Sequence, residues 1–141
     1  MTTLLYLDTS AIVKLVISER ESATLADEVA RWPHLVSSTL AEIELRRVVA
    51  RAAGSGDGPR ETMERVLATI SFLPMSDRVT SSASSVTPAG LRTLDAIHLA
   101  TVLLVADEIG AVAVYDQRLA DAVSAQGLTV IGAIPTTGAG S

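Results

Sequence analysis

The sequence predicts an α/β fold with a central parallel sheet covered on both faces, and three observations carry that prediction. Short apolar runs at 4–7, 111–115 and 128–131, and the segment 34–38, have the length of strands. Between them lie longer stretches in which apolar residues recur with helical spacing, and strands that alternate with helices pair in parallel. Two of the runs end in an aspartate directly ahead of a helix, at Asp8 and Asp116. In a parallel sheet these two carboxylates leave at the same edge, and ligands of open α/β sheets bind in the crevice beyond it.

Taken in order, the run 4–7 is followed by Asp8 and then by Thr9 and Ser10, two hydroxyl residues suited to capping a helix over 10–17. A second helix is expected over 19–31, ended by Trp32-Pro33, ahead of the strand 34–38. Residues 39–53 read as a helix closed by the Gly- and Pro-rich loop 54–59, and helix resumes over 60–70. Pro74 makes the run 72–75 an edge strand, because proline cannot donate to a ladder. A weak, serine-rich helix over 77–86 and a loop over 87–90 precede 94–109, which is apolar nearly all round and so reads as a buried helix. The interior strand 111–115, a helix over 118–125 stopped by Gly127, and the strand 128–131 complete one domain over 1–133. The uncharged residues 134–141 form a tail expected to be disordered.

Composition narrows the function. The 141 residues include no cysteine, which rules out disulfides and thiolate metal sites and fits a cytoplasmic location. The longest apolar run, 102–106, is far short of the roughly 18 residues a membrane span needs, and no signal peptide is expected. A net charge of −5 argues against gripping nucleic acid by bulk charge alone. A mean hydropathy of +0.39 with only 19% charged residues predicts that some surface is covered in an oligomer.

Four acids stand out. Asp8 and Asp116 share the strand-to-helix position described above. Either one alone reads equally well as a helix N-terminal residue favoured by the macrodipole, whereas two together favour a site. Asp95 sits in the first turn of the apolar 94–109 helix, where a carboxylate must be capped, paired or metal-bound, because an isolated buried charge costs several kcal/mol. His98, one turn on, reads more readily as a hydrogen-bonded core residue than as a ligand. In the helix 39–53, Glu44 falls between Leu40 and Val48 at the edge of the apolar face, with Arg47 beyond it, while Glu42 faces Arg46 at i+4 as a solvated pair. Glu44 is therefore the inward acid. Four converging carboxylates repel unless cations neutralise them, and an oxygen-only donor set suits Mg²⁺ or Mn²⁺. Such an ion activates water and stabilises charge on a phosphate, which is the chemistry of phosphodiester hydrolysis. Thr9 or Ser10 can position a water or phosphate, or do nothing but cap.

With these residues in hand, the chain resembles the PIN-domain ribonucleases, and in particular the VapC toxins of type II toxin–antitoxin pairs. The matching pieces are Tyr6-Leu7-Asp8-Thr9-Ser10-Ala11, residues 38–44 with Arg47, Leu94-Asp95-Ala96-Ile97-His98-Leu99-Ala100, and Tyr115-Asp116-Gln117-Arg118-Leu119 with Gly127-Leu128. The resemblance implies a PIN-like three-layer α/β/α fold and a Mg²⁺- or Mn²⁺-dependent endoribonuclease. It implies catalytic and metal-binding roles for Asp8, Glu44, Asp95 and Asp116. It further implies a homodimer and a VapB-type antitoxin whose C-terminal segment occupies the active-site groove. The chain departs from the family at Val114, where a threonine or serine usually stands.

Other classes fit less well. A phosphoacceptor receiver domain needs a lysine late in the chain, and the only lysine is Lys14. A dehalogenase-type phosphatase wants a second aspartate two residues after the first, where Ser10 stands. A non-catalytic PIN-like binding domain would tolerate loss of acids, and all four are present.

Overall fold

In a computed structural model, which describes residues 3–52 and 56–136, five strands form one sheet in the order β3-β2-β1-β4-β5, with every neighbouring pair parallel. The chain runs β1 (Leu4–Leu7), α1 (Thr9–Val16), α2 (Ser22–Val29), β2 (His34–Ser38), α3 (Thr39–Ala52), α4 (Gly58–Leu67), β3 (Ile70–Leu73), α5 (Asp77–Ala83), α6 (Thr93–Leu104), β4 (Ile109–Val114), α7 (Gln117–Ala125) and β5 (Val130–Gly132). Strand alternation divides the core in two. Leu5, Leu7, Ala111 and Ala113 face α1 to α4, where Ile12, Leu25, Leu45 and Met63 pack on them. Tyr6, Val112 and Val114 face the opposite layer, where Leu99 and Val102 of α6 and Leu119 and Val123 of α7 cover them. The three-layer α/β/α arrangement follows.

The sheet order reverses between β1 and β4, which opens a crevice at their carboxyl ends. Asp8 closes β1 by donating its N–H to Ala113 O at 2.9 Å. At the far side β5 crosses close to β4. A Cβ on Gly132, at φ +116, would meet Val114 O at 2.4 Å, so only glycine fits there.

The boundaries depart from the predicted ones at four main places, each with a physical cause. The second helix begins at Ser22 rather than at 19, because Ser22 Oγ accepts the Glu19 N–H at 2.8 Å and holds a bend. Pro59 opens α4 instead of closing the loop, since proline is well placed in a first helical turn. Ile70 then leaves the helix for β3, an edge strand that ends before Pro74. The apolar stretch 94–109 is not one helix: α6 stops at Leu104, a 3₁₀ turn spans Ala106–Glu108, and Ile109 starts β4. Apolarity alone cannot separate a buried helix from a buried parallel strand.

Of the predicted loop 54–59, residues 54 and 55 lie outside the described residues. The same holds for 137–141 of the tail, while Ile134 O accepts from Gln117 Nε2 at 2.7 Å and Thr136 bonds Asp121 through both N–H and hydroxyl. Among the described residues no helix is long and apolar enough to cross a membrane.

Candidate active site

Asp8 is itself the N-cap of α1: its Oδ2 accepts the Ser10 N–H at 3.2 Å and the Ser10 hydroxyl at 2.7 Å. The expectation that Thr9 or Ser10 would cap is thus corrected, because the aspartate one step earlier already holds the extended backbone from which a cap side chain reaches the free N–H groups. Ser10 Oγ in turn accepts the Tyr115 N–H at 2.9 Å, tying the β1–α1 junction to the one after β4. Asp116 repeats the pattern as the N-cap of α7, accepting from Leu119 N–H at 3.0 Å. In each aspartate one oxygen caps and the other faces a basic side chain: Asp8 Oδ1 lies 3.3 Å from His98 Nε2, and Asp116 Oδ2 lies 3.5 Å from Arg92 Nη2.

Helix phase separates the two glutamates of α3. Glu42 pairs with Arg46 at 3.1 Å on the surface, and Arg46 also reaches Glu64 at 2.9 Å. Glu44, on the flank of the buried Ala41-Leu45-Val49 stripe, turns inward. Its Oε1 accepts the Thr9 hydroxyl at 2.5 Å and lies 3.0 Å from His98 Nε2. Arg47 is exposed one turn beyond.

His98 is the hydrogen-bonded core residue expected from the sequence. It is a core residue, 1% exposed, and at the same time the hub of the site. Its Nε2 faces Glu44 Oε1, Asp8 Oδ1 at 3.3 Å and Thr9 Oγ1 at 3.2 Å, while Nδ1 lies 2.9 Å from the buried Tyr6 hydroxyl. Two carboxylates at Nε2 require the proton to sit there. The signal was its spacing, three residues after Asp95 and so on the same face of α6.

Electrostatics follow from this geometry. Burial lowers the His98 pKa, but the Glu44 hydrogen bond and the Asp8 charge outweigh it and the net shift is upward. Burial raises the Glu44 carboxyl, but hydrogen bonds from His98 and Thr9 prevail and carry it below its usual value. Asp95 moves the other way: burial first, then the charges of Asp116 and Asp8, raise it. Asp95 Oδ2 is the one buried side-chain oxygen or nitrogen without a hydrogen-bond partner among the described residues. It lines a cleft of about 270 Å³ with Glu44, Arg92, Thr93 and Leu94. A buried, partnerless carboxylate oxygen beside other acids is what a cation would satisfy, and the donors are hard oxygens throughout. Among the described residues, no three or more acidic, histidine or cysteine side chains are gathered tightly enough to form a ready ligand set. Glu44 and Asp95 line the cleft, His98 joins Glu44 to Asp8, and Arg92 joins Asp95 to Asp116.

Comparison with known proteins bears on this arrangement. The family model described as PIN domain matches residues 5–124. Ribonuclease VapC46 of Mycobacterium tuberculosis is 39% identical over 127 residues, covering 90% of this chain and 95% of that protein. The chain belongs to the VapC branch of the PIN-domain family. Ribonuclease VapC47 of the same species is 38% identical, covering 82% and 87%. A toxin–antitoxin complex from Klebsiella pneumoniae shares the fold, with a TM-score of 0.69 at 16% identity, covering 93% of this chain and 98% of that one.

All four acids of this PIN domain stand at the carboxyl end of the sheet or on the helices beside it, at the end of β1, on α3, in the first turn of α6 and after β4. Two side chains not assigned to the site from the sequence join them, His98 and Arg92. Arg92 lies 3.6 Å from Asp95 and 3.5 Å from Asp116.

Proposed function

We propose that the chain is the toxin of a type II toxin–antitoxin pair, an endoribonuclease that hydrolyses RNA phosphodiester bonds with Mg²⁺ or Mn²⁺. The observation that carries this reading is the buried Oδ2 of Asp95, which has no hydrogen-bond partner and whose carboxyl is raised by burial and by the charges of Asp116 and Asp8. Asp8, Glu44, Asp95 and Asp116 would hold one or two ions. Bound there, a divalent ion supplies charge neutralisation for the phosphate and a lowered pKa for water. The chain's own residues do the positioning. His98 Nε2 hydrogen-bonds Glu44 and stands 3.3 Å from Asp8, Thr9 orients Glu44, and Ser10 fixes Asp8. Arg47, exposed and one turn on from Glu44 in α3, would meet the RNA backbone.

The relatives named as VapC ribonucleases and the toxin–antitoxin complex of like fold support an RNA substrate and a VapB-type antitoxin partner. A cytoplasmic homodimer fits the exposed Ile43 on α3 and Leu94 on α6, both apolar and beside the site acids in sequence. RNA cleavage with added Mg²⁺ or Mn²⁺, and its loss in excess EDTA, is the test. Cleavage persisting in EDTA removes the metal from the mechanism.

A further inference from the structure

Arg92 stands at the N-cap position of α6 with an extended backbone, φ −63 and ψ 150, and its side chain makes no capping bond. That side chain is 68% exposed, yet its guanidinium folds back over the acids, with Nε 3.6 Å from Asp95 Oδ2 and Nη2 3.5 Å from Asp116 Oδ2. Charge-assisted hydrogen bonds are shorter, about 2.7–2.9 Å. The arm therefore neutralises Asp95 without satisfying it, and Oδ2 keeps no hydrogen-bond partner. Exposed ion pairs of this kind contribute little and break readily. Among the described residues no other arginine or lysine pairs with the four site acids. A guanidinium at this spot opposes any second cation on the same two carboxylates, and it is also the side chain best shaped to grip a phosphate.

We propose that Arg92 is a displaceable counter-ion. It covers Asp95 and Asp116 while no divalent ion is present, is expelled when the ion enters, and then turns its guanidinium to a phosphate of the RNA strand in the cleft. The inference rests on the metal-dependent ribonuclease reading and adds a positioning residue to it.

The experiment is calorimetric titration of Mn²⁺ into the full chain as wild type, Arg92→Ala and Arg92→Gln, paired with binding of a non-cleavable 2′-O-methyl RNA oligonucleotide in Mn²⁺ at several salt concentrations. Because the side chain caps nothing, both variants keep the wild-type melting temperature. Removing the competing charge tightens Mn²⁺ binding roughly two- to fivefold. Losing one phosphate contact lowers the slope of log K against log salt by about 0.7. Unchanged Mn²⁺ affinity, or an unchanged salt slope, overturns the proposal and leaves the metal reading standing. No Mn²⁺ binding by any of the three chains overturns both.

Discussion

Asp95 and His98 sit one helical turn apart on α6 and both shift upward, which disfavours the charge on Asp95 and favours it on His98, and their stability effects follow from the sign of each shift. A carboxyl whose folded pKa lies above its unfolded value stabilises the fold at low pH and loses that contribution as pH rises through the folded pKa, so at neutral pH the Asp95 charge is a net cost. Asp95→Asn should leave the metal-free chain at least as stable as wild type. It should also abolish the rise in melting temperature on adding Mg²⁺. For wild type that rise is about 2.7 kcal/mol at a hundredfold excess over Kd, or roughly 5–10 °C. Differential scanning calorimetry with and without Mg²⁺ reads both effects. His98, raised above its unfolded value, contributes stability that is complete below about 6.5 and is lost as pH climbs through its folded pKa. Glu44, lowered, contributes stability above its usual value of 4.5 that is lost as pH falls through the folded one. The melting temperature of the metal-free chain should therefore fall on both flanks of a weakly acidic window. Glu44→Gln should flatten the acid flank and His98→Gln the alkaline one. A profile unchanged by both substitutions contradicts the His98–Glu44 hydrogen bond.

At the scale of elements, the site depends on the phase of one helix and on one clip between two strand ends. The phase of α3 was legible because Leu40 and Val48 mark its apolar side and leave Glu44 and Glu42 on different flanks, and the structure buries Ala41, Leu45 and Val49 there. Glu44→Gln should cut RNA cleavage by roughly a hundredfold or more at saturating Mg²⁺. Glu42→Gln removes only a surface pair worth about 0.2–0.5 kcal/mol and leaves cleavage intact. A dead Glu42→Gln beside an active Glu44→Gln contradicts the phase. The clip was not legible, since nothing in Ser10 says that its hydroxyl meets a backbone N–H 105 residues away. Ser10→Ala leaves the Tyr115 N–H without that partner and should cost about 1–3 kcal/mol by chemical denaturation. The breaks between α6, the 3₁₀ turn and β4 escaped the sequence for a related reason: both states of that segment are buried and apolar, and only the sheet decides where the helix must end.

For the whole molecule, alternation of strands and helices was enough to foresee a parallel three-layer sheet, and the order of four acids was enough to place them at one end of it. What the order could not convey was the hub. His98 looked like a core residue because it is one, and its second role exists only where α1, α3 and α6 meet. The net charge of −5 and the acidic cleft also bear on association. An antitoxin that seats a basic side chain among these acids should bind more weakly as salt rises, and affinity flat between low and high salt would place inhibition on apolar contacts instead. The central claim is that the acids at the sheet edge act as one cation-binding catalytic unit. Its most direct test is the single-turnover rate of RNA cleavage by Asp95→Asn at saturating Mg²⁺, with folding verified by thermal melt. A folded variant slower than wild type by roughly a hundredfold or more is the predicted result, and a folded variant that cuts at the wild-type rate would contradict it.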